Sequence, residues 1–232
     1  MNDLRNASRW LAVLLLTQMV IGPIANFALL DDTFEGAGGF LANAAPQAAS
    51  VATAVLLSLG LALVGAGIAV VLWPVLRPRS ERMAVSLAIL GGAGIALSGV
   101  EAAGMLSMVS FSQAYVAAAA PDAALYESLR GLVAAQRNWP HLVQLMASGG
   151  MLLATYSALL RFRFVPRWLA GFGVLATLAQ LVAVTKPLYG GWVIFPLLAP
   201  IGVANFVLAG WLLWRPGFST TTDLKGVTPR FP

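Results

Sequence analysis

Six long apolar runs, residues 10–30, 50–73, 83–108, 139–160, 168–185 and 192–214, limit what this chain can fold into. At ~1.5 Å per helical residue, each can cross ~30 Å of hydrocarbon. Backbone polar groups in lipid must pair within their own segment, so runs of this length are read as transmembrane helices. The expected fold class is all-α: a polytopic membrane protein with six transmembrane helices. Residues 1–217 would form one domain and 218–232 a short cytoplasmic tail with no fixed structure.

Charge agrees with that class and sets an orientation. Only 10% of the 232 residues are charged, with a net charge of +5, where soluble domains carry roughly a quarter charged residues. The basic excess does not point to nucleic acid, because the basic residues sit in short segments between apolar runs. Arg5, Arg9, Arg77, Arg79, Arg82, Arg161, Arg163, Arg167, Arg215, Lys225 and Arg230 fall on one side, against Arg130, Arg137 and Lys186 on the other. Positive segments stay in the cytoplasm, so both termini are expected there, in a bacterial inner membrane. The first outer loop carries Asp31, Asp32 and Glu35 and no basic residue, and is expected to be solvated. A competing reading takes Arg5, Arg9 and the first run as a cleaved secretory signal, but no small-x-small cleavage site precedes the loop.

Two segments depart from simple crossings. The third helix is expected to run on past the bilayer until Pro121. Pro121 and Asp122 then suit the first turn of an amphipathic helix lying over the outer mouth as a lid, with Leu125, Leu129, Leu132 and Val133 as its stripe. Glu127 and Arg130 would face water. Pro196 and Pro200 predict a kink in the last span.

Chemistry is confined by what is missing. There is no cysteine and one histidine, which removes thiolate nucleophiles, disulfides, iron–sulfur ligation and bis-histidine haem. No cofactor and no metal site is expected. Polar groups inside spans are costly and each needs a partner or a purpose. Gly91, Gly94, Ser98, Glu101, Met105 and Met108 share one face of the third span, where small residues admit a close neighbour. Glu101 lies roughly 27 Å along that span from Met83, near the outer boundary at ~1.5 Å per residue. Counting back from Arg161, His141 reaches a similar depth on the fourth span, with Gln144, Ser148 and Thr155 on its face. Asn138 would cap this helix and Pro140 fill its first turn. Gln18, Gly22 and Asn26 align on the first span, and Thr177 and Gln180 on the fifth, followed by Lys186 and Tyr189. Asn205 lies deeper on the last span.

These positions outline an outward-facing polar pocket. Glu101 and His141 are the candidate acid–base pair, with Lys186 as another partner for the acid. Asn26, Gln144, Gln180, Lys186 and Tyr189 are candidate ligand contacts. Plainer roles stand beside each: His141 as an interface residue next to Trp139, Glu101 as a structural carboxylic acid, and the amides as links between helices.

The stretch RFRFVPRWLAGFGVLA, residues 161–176, resembles a bacterial membrane family catalogued as domain of unknown function 4386. The likeness rests on Pro166-Arg167-Trp168-Leu169 before a glycine-bearing span, on His141 early in the preceding span, and on Glu101 in the third. It also rests on Pro200 preceding the Trp-Leu-Leu-Trp run at 211–214. An arginine usually stands shortly before that acid in the family; residues 94–100 contain none. The resemblance implies the architecture and assigns no activity.

Three functions remain open on sequence. One is a membrane protein binding a small apolar or lipid-like ligand. Another is an intramembrane enzyme using Glu101 and His141 in proton transfer. The third is a proton-linked transporter, which would want two comparable halves and an ionisable group near the midplane. Membrane lipids are the expected partners, and oligomeric state is not written in the sequence.

Overall fold

A computed structural model describes residues 2–118, 120–215, 217 and 218. Its long helices are α1 (Asn2–Pro23), α4 (Ala48–Leu76), α5 (Glu81–Ala117), α6 (Ala120–Arg161), α7 (Arg167–Thr185) and α8 (Ala199–Trp214). Two short helices, α2 (Asp31–Phe34) and α3 (Gly39–Asn43), lie between α1 and α4. No strand occurs among the described residues. Six helical stretches are long and apolar enough to cross a bilayer. This is the composition of a multi-pass integral membrane protein.

The outward faces agree. Leu56, Leu63 and Val70 recur every seventh residue of α4 and are 69%, 61% and 72% exposed. Such a stripe would be a liability in water; against acyl chains it is the expected surface. The opposite face, including Val51, Ala62, Ile68, Leu72 and Leu76, is buried.

Each long helix packs against its neighbours in the chain, and α1 also packs against α8, so the six close into a ring. Two apolar cores hold the ring at its ends. At the end bearing Arg79, Arg161 and Arg163, Leu11, Leu72, Leu76, Tyr156, Leu159, Leu169 and Leu212 pack together. At the other end, Leu30, Phe40, Leu41, Val51, Met105 and Met108 form the second core. Ser80 caps α5 by accepting the Met83 N–H at 3.4 Å, with Glu81 in the first turn.

Several expectations need correction. In the first loop Asp31, Asp32 and Glu35 are exposed, as expected of a solvated cluster, but the loop that carries them is held in place. Ser112 of α5, fully buried, donates to the Leu41 carbonyl at 2.7 Å and accepts the Ala45 N–H at 2.9 Å, clamping the loop onto α5. Thr33 donates to Gln47 Oε1 at 2.7 Å. Residues 31–43 thus form a small cap over that end.

The amphipathic stretch after α5 is helical, but it is the first part of α6 rather than a separate lid. Leu125 and Leu132 are 60% and 64% exposed, and Val133 with Ala134 packs on the cap-end core. α6 has 42 residues, about 63 Å at 1.5 Å per residue, so it overruns a bilayer core. Asn138 is therefore no cap and Pro140 lies inside the helix. Pro140 cannot donate to the Gln136 carbonyl four residues back. That carbonyl instead faces Gly104 of α5, where a Cβ would sit 2.7 Å from it. Only a glycine admits this approach, and a Cα–H can meet the freed oxygen.

The prolines of the last span start it rather than kink it. Residues 191–194 have no regular structure, Phe195–Leu198 is a 3-10 turn, and Pro200 takes the first turn of α8, where its missing N–H costs nothing. Past α8, Phe218 is buried with its ring 4.9 Å from that of Phe164, and the Gly217 N–H donates to Ser8 Oγ at 2.9 Å. The expected tail from Phe218 is thus anchored at its first residue; 219–232 lie outside the described residues.

Candidate functional site

Between the two cores the ring encloses a chamber of about 260 Å³, to which all six long helices contribute. The contributing side chains include Gln18 of α1, Ser58 of α4, Ser98 and Glu101 of α5, Gln144 of α6, Gln180 of α7 and Asn205 of α8. Toward the cap lies a vestibule of about 660 Å³, lined in part by the exposed Asp31, Glu35, Arg130 and Asn138. Gly22, Asn26, His141 and Leu145 line both spaces and form the throat between them.

The throat is built around Glu101. Its Oε1 is 2.8 Å from His141 Nδ1. With the carboxylate ionised, Nδ1 carries the proton and donates it. Arg137 stands four residues before His141 on α6, its Nε 3.9 Å from the same oxygen. The Arg137 guanidinium also lies 4.7 Å from the centre of the Phe34 ring, reaching the cap. Glu101 is 5% exposed, a position where an unpaired carboxylate would be costly. Arg137 matches its charge and His141 meets a lone pair.

Arg137 went unnoticed in sequence because Asn138-Trp139-Pro140 looked like a helix start, which placed Arg137 outside the span. The usable signal was the four-residue spacing of Arg137 and His141 on a continuous helix. Gly104, one turn from Glu101, sets how closely the Arg137 segment approaches, since a Cβ there would lie 3.1 Å from Arg137 Cα.

The other expected contacts divide. Asn26, Gln144 and Gln180 reach the chamber, whereas Lys186 and Tyr189 line neither space. Those two sit in a 3-10 turn closed by Gly190 at φ 76°, and Tyr189 is 86% exposed. Glu101 is therefore served by His141 and Arg137, not by Lys186. Asn26 lies on a π-helical turn, Ile24–Ala28, that follows Pro23, and its Nδ2 donates to the Gly22 carbonyl at 3.0 Å. Such turns commonly mark functional positions.

Along the face expected to receive a neighbour, Gly91 lies against Ala66 of α4, and Ser98 donates to the Ser58 carbonyl at 3.2 Å. Gly94 instead has open space where its Cβ would go and lines the chamber. At the chamber floor Asn205 Oδ1 accepts the Tyr156 hydroxyl at 2.8 Å.

The family described as Domain of unknown function (DUF4386) matches residues 11–215. The chain belongs to this family. No curated protein and no solved structure matches it. The DUF4386 match covers the first span from residue 11, the other five whole, and both members of the Glu101–His141 pair. Residues 94–100 of α5 carry no arginine in this DUF4386 chain, and the arginine beside Glu101 is Arg137 of α6.

Proposed function

We propose that this protein binds a small, mostly apolar or lipid-like ligand in the chamber, admitted through the vestibule and the His141 throat. The observation that carries this reading is a chamber with a mostly apolar wall surface to which all six long helices contribute, and on which side-chain amides and the Glu101–His141 pair converge. That is the usual form of a small-molecule site. Asn26, Gln144 and Gln180 would orient the ligand, and the Glu101–His141–Arg137 cluster would hold the throat. The excess of Lys and Arg at the opposite end supports a vestibule facing away from the cytoplasm, with both termini inside a bacterial inner membrane. A small apolar or lipid-like molecule dissolved in the bilayer is then the natural ligand.

The test fills the space. Gly94→Leu would project an alkyl group into the chamber from a helix position that gains about 1 kcal/mol in propensity. Protein purified into nanodiscs and extracted for mass spectrometry should retain a defined small molecule as wild type and lose it in Gly94→Leu, with thermal stability unchanged or raised. An identical retained set in both proteins would refute the reading.

A second reading, an enzyme, is favoured by the 2.8 Å contact of Glu101 and His141. A carboxylate holding Nδ1–H leaves Nε2 free as a general base, the same arrangement in which an acid orients a catalytic imidazole. Turnover of a lipid extract that disappears in His141→Ala, while the retained molecule stays bound, would move the conclusion to catalysis.

A further inference from the structure

Most polar groups around the chamber are already engaged. Asn26, Ser98 and Ser148 bond to backbone carbonyls, and Asn205 bonds to Tyr156. Glu101 and His141 are the ionisable groups lining the chamber, and they are hydrogen-bonded to one another. Three amides stand apart. Gln18 on α1, Gln144 on α6 and Gln180 on α7 all line the chamber, and among the described residues none donates to or accepts from a protein group. Gln180 is 8% exposed and its Oε1 is buried without a partner. Gly65 leaves room for the Gln18 amide, whose Nε2 would lie 3.3 Å from a Cβ at that position. A buried amide left unpaired is destabilising, which holds for Gln180; Gln18 and Gln144 are half-buried and face the same space from other helices, so together they call for an occupant that satisfies them.

We infer that the three glutamines form a clamp for the polar group of the ligand, and that this group is uncharged and both donates and accepts, as a primary alcohol or a carboxamide does. This rests on the ligand-binding reading above and adds the ligand's chemistry to it. Each side-chain amide offers one acceptor and two donors and carries no charge. An ammonium would find acceptors but no free counter-charge, and a carboxylate would find donors but no free cation. A cavity of 150 Å³ holds one benzene ring, so 260 Å³ has room for about ten non-hydrogen atoms. An eight-carbon chain with a small polar head fits that limit.

The test uses five probes of one chain length: 1-octanol, octanamide, octanoate, octylamine and octane. Binding is measured on the full chain in micelles as the difference between wild type and Gly94→Leu, which cancels partition into detergent. Octanol and octanamide should bind about tenfold or more tighter than the other three, and Gln180→Leu should abolish that preference while still binding octane. Octane binding as well as octanol would overturn the clamp and leave the apolar site standing, as would a chamber holding water only around the amides. Octanoate or octylamine binding tightest would overturn it in favour of recognition by the throat charges. Failure of all five would remove the binding reading itself.

Discussion

Glu101→Ala should lower the stability of the protein in detergent by about 3 kcal/mol, because it strands the Arg137 guanidinium in a partly buried throat. Arg137 has 14% of its side chain exposed and its Nε has no hydrogen-bond partner. The guanidinium is held by Glu101, by the Phe34 ring and by a hydrogen bond from Nη1 to Asn138 Oδ1 at 3.3 Å. Removing the acid leaves a cation with the Phe34 ring and one exposed amide oxygen, that of Asn138 at 3.3 Å, and no counter-charge in contact. Arg137→Met should cost less, since His141 still bonds to the carboxylate. The Glu101→Ala, Arg137→Met double variant should be more stable than Glu101→Ala alone. Reversible unfolding of the four proteins of this cycle measures the coupling. Costs that simply add would mean the two residues do not interact and that the 3.9 Å separation carries no energy.

The second large effect lies at the opposite end. Gly173 of α7 packs so closely on the Tyr156 ring that a Cβ would overlap ring carbons Cγ, Cδ1 and Cε1. Tyr156 is fully buried, and its hydroxyl is fixed by Asn205 at 2.8 Å. The ring cannot step aside without breaking that bond. Gly173→Ala should therefore destabilise by about 3 kcal/mol, combining overpacking with a lost buried hydrogen bond. Tyr156→Phe should cost only about 1–2 kcal/mol, the penalty of leaving Asn205 Oδ1 without its donor. Combining Gly173→Ala with Tyr156→Ala should cost less than the sum of the two singles, because the clash disappears with the ring. A Gly173→Ala protein as stable as wild type would show that α6 and α7 do not meet this closely.

What could be read from sequence follows from which quantities are local. Span number and the common depth of Glu101 and His141 need only the rise per residue and arginines that mark the helix ends, so the pair was legible before any coordinates. Arg137 was not. Whether Pro140 begins a helix or sits within one depends on where the freed Gln136 carbonyl goes, and its destination, Gly104, is 32 residues back on another helix. The cap was hidden for a similar reason: it is held by Ser112, 71 residues from the Leu41 carbonyl it bonds. Lys186 and Tyr189 looked like site residues because the pattern of α7 was carried one turn too far. The backbone tightens to a 3-10 turn and swings them outward.

We propose that the chamber opens away from the cytoplasm through the His141 throat, and labelling from the two faces of the membrane tests this directly. Because the chain contains no cysteine, single cysteines report without background. Ser148→Cys places a thiol on the chamber wall and Asn138→Cys one in the vestibule. A small membrane-impermeant thiol reagent applied to the outer face of the inner membrane should modify both, Asn138→Cys faster, and adding Gly94→Leu should protect only Ser148→Cys. Modification of Ser148→Cys solely in inverted vesicles, from the cytoplasmic face, would contradict the account.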